Sequence, residues 1–209
     1  MTDTEKVQKK CQIHELYSLV ELKPEQMTGN YYQYLKSNLK KKVENRCNDI
    51  GYIKNVIRLI EYTDNTINIE NFSGNSVFKI KYSAEMIIPN VNDVVVLRVK
   101  MMGPQLIILT DGSMKFNCQV YKINPEIIIE ENGIISNIKA NKPLEIGDYF
   151  KVRMLRWKCV IGSPEFIIQG EIVDIASPEE IKTYYSNEIY ESGTDIEHSN
   201  QNIEFTNDL

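Results

Sequence analysis

The stretch VFKIKYSAEMIIPNVNDVVVLRVKMMG, Val77 to Gly103, decides how the chain divides. Phe78, Ile80, Tyr82 and Ala84 alternate with Lys79, Lys81 and Ser83. A period of two gives a strand with one buried and one wet face. Ile88-Pro89-Asn90-Val91-Asn92-Asp93 is a bend, because proline has no N–H to continue a ladder and Asn and Asp close turns. Val94 to Lys100 is a denser apolar run, as expected of a barrel strand. The bend is therefore read as the seam between two halves.

Upstream of the seam the pattern is mixed. Leu16 to Leu22 reads as a strand that ends at Lys23-Pro24, and residues 1–15 read as a flexible N-terminus. After Thr28-Gly29-Asn30, Tyr31, Leu35, Leu39 and Val43 recur every four residues, one apolar stripe of a helix. Lys36, Lys40, Lys41, Lys42 and Arg46 lie off that stripe, and a solvated helix face explains them better than phosphate binding does. Asn48-Asp49-Ile50-Gly51 is a turn, Tyr52–Tyr62 a strand, Thr66–Glu70 a short strand, and Val77–Ala84 closes this half. The sum is a small α+β unit over residues 16–88, a helix laid on an antiparallel sheet.

Downstream no helical period appears. Val94–Lys100, Gln105–Thr110, Lys115–Tyr121, Tyr149–Trp157 and Phe166–Ile175 are five strand candidates. Glu131-Asn132-Gly133 between Glu126–Glu130 and Ile134–Ile138 predicts an inserted hairpin. Five strands with one insertion predict an all-β OB-type barrel over residues 89–175.

The net charge of −5 conceals an uneven distribution. Residues 176–209 hold eight acidic residues and one lysine, so the other 175 residues carry 23 basic and 21 acidic groups. That last segment reads as an acidic, disordered tail with a helical turn near Pro178–Tyr185. Such a tail would keep nucleic acid off nearby basic surface.

The chain has no run of about 18 apolar residues and no apolar signal core at its start, so neither a membrane partner nor export is expected. Cys11, Cys47, Cys118 and Cys159 are far apart, and Cys11 and His14 form the one close Cys/His pair. Reduced thiols in an intracellular compartment are expected, with no metal and no cofactor. The two histidines, His14 and His198, lie near the chain ends, and no nucleophile, phosphate-loop or zinc-protease motif is present. The expectation is a chain without an active site.

The binding features fall on the barrel. OB folds hold single strands by stacking bases on aromatics over basic groups. Arg98, Lys100, Lys115, Tyr121, Lys151, Arg153, Arg156, Trp157 and Lys158 have that composition. Trp157 between Arg156 and Lys158 is the sharpest of them, set against the ordinary alternative of a core or edge tryptophan.

Several short motifs fall in an order that resembles one family. They are Leu22-Lys23-Pro24-Glu25-Gln26-Met27, Val43-Glu44-Asn45-Arg46-Cys47, Gly51-Tyr52-Ile53, Phe78 to Ala84 and Asn92 to Val99, followed by Met102-Gly103, Gly112, Met114, Ile146-Gly147-Asp148, Gln169-Gly170 and Asp174. Over residues 16–175 the chain resembles the stalk subunit of multisubunit DNA-directed RNA polymerases, the seventh subunit of eukaryotic polymerase II and its archaeal counterpart. The resemblance implies a ribonucleoprotein-like tip domain, with Asn48, Asp49, Ile50, Gly51 and Tyr52 docking on the large core subunits near the clamp. It implies an OB barrel turned toward nascent RNA, and a fourth-subunit-like partner along the stalk. The hairpin at 126–138 and the acidic tail depart from the family pattern. Heavy use of Ile, Asn and Lys fits an AT-rich genome and leans toward a large DNA virus, which would place the chain in host cytoplasm and virion; a cellular chain would be nuclear.

Two other readings compete. A free-standing OB-fold RNA-binding or translation factor would bind RNA with steep salt dependence and no obligate partner. A structural module would bind protein through the barrel. An apolar tip exposed around Ile50–Ile53 separates the first reading from the free factor. Gly51→Val is then expected to detach the chain without unfolding it, on the view that the turn needs a positive φ.

Overall fold

The computed structural model of the chain describes residues 11–63, 66–67, 74–131, 134–138 and 142–190. Its first layer is a five-stranded antiparallel sheet. Strand β1 (Cys11–Leu22) pairs along its whole length with β5 (Ser76–Ile87), and β5 pairs with β3 (Tyr52–Tyr62). The two-residue β2 (Arg46–Cys47) borders β3, and β4 (Thr66–Ile67) borders β5. The strand at the chain start is longer than the sequence indicates. It opens at Cys11 instead of Leu16, so residues 11–15 belong to the ladder and His14 sits opposite Ala84. Its first residues alternate too weakly in hydropathy to announce a strand, because the apolar Ile13 faces outward, 69% exposed, while the polar His14 is half-buried.

Helix α1 (Tyr31–Val43) covers the other face. Leu35, Leu39 and Val43 are buried against Val20, Leu22, Phe78, Ile80, Tyr82, Ala84 and Met86. Each fully buried Leu contributes about 1.5–3 kcal/mol of transfer free energy, so the four-residue stripe holds the helix down. Tyr31 stacks on Phe78, with ring centroids 6.2 Å apart. The lysine run lies outside: Lys36, Lys41 and Lys42 are exposed, and Lys40 pairs with Glu44 at 3.3 Å.

The second layer is a closed barrel. Its strands are β6 (Val94–Met102), β7 (Leu106–Thr110), β8 (Met114–Gln119), β12 (Tyr149–Lys158) and β13 (Phe166–Ile175). The cyclic order is β6-β7-β8-β13-β12, all pairs antiparallel except β8 with β13. This is the five-strand closed sheet expected of an OB-type barrel. The inward residues Leu97, Val99, Ile107, Leu109, Met114, Phe116, Phe150, Val152, Met154, Phe166 and Ile168 are buried.

The connection from β8 to β12 packs against the barrel. There β9 (Ile128–Glu131) and β10 (Ile134–Asn137) pair antiparallel, with Ile134 opposite Glu131; the Asn-Gly pair between them, 132–133, lies outside the described residues. Strand β11 (Lys142–Pro143) adds a short rung. Ile123, Ile127, Ile128, Ile135 and Leu144 from this insertion join the barrel core.

After β13 the chain forms helix α2 (Pro178–Tyr190), three turns where the sequence pattern predicts one. Ser177-Pro178-Glu179-Glu180 is its start signal. The Ser177 N–H donates to Glu180 Oε2 (2.8 Å) and the Glu180 N–H donates to Ser177 Oγ (3.3 Å), a reciprocal capping box with proline in the first turn. The helix lies on the outer face of the barrel. Tyr184 is fully buried and donates to Asp111 Oδ2 (3.1 Å), and Tyr185 donates to the Val96 carbonyl (3.3 Å). Residues 191–209 of the expected tail lie outside the described residues.

Glu180 also pairs with Lys151 at 3.0 Å. Partial burial pushes its carboxyl up, but the Ser177 N–H, the Lys151 ammonium and the Ser177 hydroxyl outweigh this and hold its pKa below the ordinary glutamate value. The folded pKa is thus the lower one. The stabilisation is full above the unfolded pKa and disappears as pH falls through the folded one. Hydrogen exchange is expected to show the α2 amides losing protection on acidification before those of β6 do, and E180Q is expected to remove that step. Equal acid loss in wild type and E180Q would contradict the assignment.

Candidate functional site

Two surfaces hold the residues singled out by the sequence. The first is the turn between β2 and β3. Asn48 Oδ1 accepts the N–H groups of Ile50 (2.9 Å) and Gly51 (2.8 Å), and the Asn48 N–H donates to the Gly51 carbonyl (2.8 Å). A side-chain carbonyl gathering two backbone donors fixes this turn. Behind it, the loop from β12 to β13 docks on β2. The Cys47 N–H donates to the Ser163 carbonyl and the Gly162 N–H to the Cys47 carbonyl, both at 2.8 Å. Tyr52 packs at 6.5 Å on Phe166, the first residue of β13. Cys47, Tyr52 and Ile87 thereby belong to the barrel's hydrophobic cluster, not to that of the helix.

This changes the expected exposed tip. Tyr52 and Ile53 are buried, at 6% and 3% exposure, and Gly51 is buried with them. Asp49 and Ile50 face solvent, and Ile50 at 39% is joined by Val160 and Ile161 of the neighbouring barrel loop at 52% and 75%. Ile50 and Ile161 line a cleft of about 450 Å³ with Asn48, Asp49, Arg46 and Tyr17. The apolar surface at this end is thus built from both halves of the chain. The reason is register: Tyr52 and Ile87 pair at the sheet end that abuts the barrel. Gly51 does not adopt a positive φ either; among the described glycines only Gly74, Gly112, Gly147 and Gly162 do. It is a close-approach glycine: a Cβ there would meet the Ile87 carbonyl oxygen at 2.6 Å.

The second surface is the outside of the barrel. Arg98 on β6 pairs with Thr110 on β7, Thr110 with Lys115 on β8, Lys115 with Ile167 on β13, and Ile167 with Lys158 on β12. Paired residues share a face, and the neighbours Leu97, Leu109, Met114 and Ile168 point inward. Arg98, Lys115 and Lys158 therefore form an outward belt across all five strands. Successive cations on it are two strands apart, about 10 Å along the surface. None of the three has an ion-pair partner among the described residues. Tyr121, 75% exposed beyond the end of β8, donates to Gln119 (2.7 Å) and lies under Lys122 (6.0 Å to the ring).

The other candidates do not join the belt on equal terms. Lys100 pairs with Glu165 (3.4 Å), Lys151 with Glu180 (3.0 Å) and Arg153 with Glu171 (2.8 Å). Arg156 is exposed, opposite Gln169. Trp157 shares the inward side of Ile168 and packs edge-on against Phe166 at 6.4 Å. It is a core-edge ring, not an open stacking platform. A bulge at Leu155 shifts the alternation of β12, so the inward turn of Trp157 is invisible to a strict period of two.

No protein-family model matches the chain. It is similar to a protein of Acanthamoeba polyphaga mimivirus named "Putative DNA-directed RNA polymerase subunit". The two are 27% identical over 183 residues, which cover 88% of this chain and 92% of the relative. The similarity thus takes in both the helix-covered sheet and the barrel.

Proposed function

We propose that this chain is a noncatalytic subunit of a DNA-directed RNA polymerase, acting as its stalk. The observation that carries the reading is the similarity along nearly the whole of both chains to the mimivirus protein with that name. The closed five-strand barrel joined to a helix-covered sheet supports the stalk form of it. In this reading Asn48, Asp49 and Ile50 meet the large core subunits, with Gly51 and Tyr52 holding the turn from behind. The barrel then projects away, with Arg98, Lys115, Lys158 and Tyr121 toward nascent RNA. The viral relative favours a chain that works inside an infected cell, beside the other subunits of a viral enzyme.

Affinity capture of the tagged chain, read by mass spectrometry, tests the subunit reading. Two very large chains with several small ones, in near-equal amounts, are expected. Recovery of the chain alone, or with RNA alone, would favour a free-standing RNA-binding factor instead.

The RNA contact is tested separately. The double variant R98E/K115E is expected to weaken binding of a single-stranded oligonucleotide by at least about tenfold and to lower the salt slope by roughly 2. R153A, which removes a cation already paired with Glu171, is expected to leave both nearly unchanged. Unchanged binding by the double variant would remove the belt from the proposal.

A further inference from the structure

Two thiols from different halves of the chain meet at the seam, and nothing in the proposed function uses them. Cys47 lies on β2, and Cys159 opens the loop after β12. Cys47 belongs to the barrel's hydrophobic cluster and Cys159 packs against it, and each thiol lies in the other's electrostatic surroundings. The backbone fixes this approach from both sides, through the two 2.8 Å bonds that join Cys47 to Gly162 and Ser163. Cys159 Sγ lies 3.5 Å from the Gly51 carbonyl, so the pair also touches the β2–β3 turn. Both residues are free thiols, Cys47 buried and Cys159 partly exposed.

We propose that Cys47 and Cys159 are a redox modification site, forming a reversible disulfide that staples the sheet to the β12–β13 loop of the barrel. The inference stands on this contact and does not depend on the polymerase reading. The oxidant is a small-molecule disulfide such as glutathione disulfide. Cys159, the accessible thiol, loses its proton to solvent and attacks one sulfur of the oxidant. The oxidant's S–S bond breaks, a mixed disulfide forms on Cys159, and one glutathione thiolate leaves and is protonated. Cys47, having lost its own proton, attacks the Cys159 sulfur and expels the second glutathione. Two protein thiols are oxidised and one external disulfide is reduced to two thiols.

The same surroundings set the rate. Burial pushes both thiols up, Cys159 to about 12, so little thiolate exists at neutral pH. Oxidation is then slow at pH 7 and faster at pH 9, which suits a response to a sustained oxidising poise. The bond closes a long loop of sequence, from residue 47 to residue 159, and such cross-links stabilise chiefly by restricting the unfolded chain.

The test equilibrates the full chain with glutathione disulfide at pH 8.5, blocks free thiols with an alkylating agent, and digests without reductant. The expected result is a peptide pair joining Cys47 to Cys159 within one chain. The expected Tm rise is about 5 °C or more, reversed by dithiothreitol. C47S is expected to accumulate glutathione on Cys159 with no internal cross-link. The proposal is overturned if equilibrated wild-type chain carries only glutathione adducts, or if its disulfides run through Cys11 or Cys118 or between chains. The wild-type measurement decides even if the serine variant fails to fold.

Discussion

Replacing Gly170 with alanine is expected to cost the barrel its closure. A Cβ at this position would sit 2.1 Å from the Arg153 carbonyl oxygen and 3.4 Å from the Met154 Cα. Real Cβ atoms do not approach a backbone oxygen so closely, and no flexible side chain is there to move aside. The contact lies at the β12–β13 pair, where Met154 is opposite Gly170 and the register shifts by a bulge before Arg156. Relief therefore requires β12 and β13 to separate by about 1 Å or more, which breaks ladder bonds and opens the packing around Met154 and Phe166. Overpacking typically costs about 1–3 kcal/mol and occasionally more, and a clash with backbone falls at the upper end, a large share of the roughly 5–15 kcal/mol that holds a domain folded. The expected outcome is insoluble protein, or a fall in Tm of about 6–12 °C. Circular dichroism melting of the purified variant checks it. A Tm within 2 °C of wild type would show that the two strands are not held this tightly at Gly170.

Gly170 also shows what a sequence can and cannot carry. An isolated glycine inside a strand pattern marks a bulge or a close backbone approach, and Gly170 sits inside such a pattern. Which strand comes close is a matter of pairing order, and β12 reaches β13 with a shifted register that hydropathy does not encode. The elements themselves are legible wherever one face is buried and the other wet. The bounds of β3 are those read from its apolar residues, and the five barrel strands match to within a few residues. The exposed residues of β1 are less legible: Ile13, Tyr17 and Leu19 are apolar yet outward, 55–69% exposed, and blur the alternation. Helix α2 outruns its sequence signal because its acidic composition masks a capping box and two tyrosines that dock on β6 and the β7–β8 turn.

The candidate site is legible as composition and not as arrangement. Composition alone groups nine basic and aromatic residues into one groove. The structure separates Arg98, Lys115 and Lys158, aligned by four successive register pairs, from Lys100, Lys151 and Arg153, each held by a carboxylate. Ion pairing across strands or to a distant helix leaves no trace in local sequence. The seam is the larger case. Nothing around Gly51 says that Phe166 and Ser163 lie behind it, because those contacts span more than half the chain.

That seam makes Gly51→Val a different experiment from the one the sequence invites. The variant is expected to damage the fold, not merely a docking surface. Its Cβ would meet the Ile87 carbonyl oxygen at 2.6 Å and the Ile88 side chain at 3.2 Å. Ile87 is the partner of Tyr52 in the ladder, and both contribute to the barrel cluster. Pushing them apart strains the point where sheet, β2–β3 turn and barrel loop converge. The expected cost is about 3 kcal/mol, the upper end of the usual range for overpacking, a drop in Tm of roughly 6–12 °C for a chain of this size, with faster proteolysis between the halves. Loss of incorporation into a larger complex would then say nothing about docking. Ile50→Asp separates the two effects. Ile50 is exposed, its N–H is already held by Asn48, and its side chain does not belong to either hydrophobic cluster. The charge at this surface is expected to leave Tm within about 2 °C of wild type, since exposed substitutions usually change stability by less than about 0.5 kcal/mol. If the turn docks on polymerase core, the same variant loses co-purification of the large chains by tenfold or more, because burying an unpaired carboxylate in an apolar contact is costly. A folded Ile50→Asp chain that still brings down the large subunits would remove the turn from the interface.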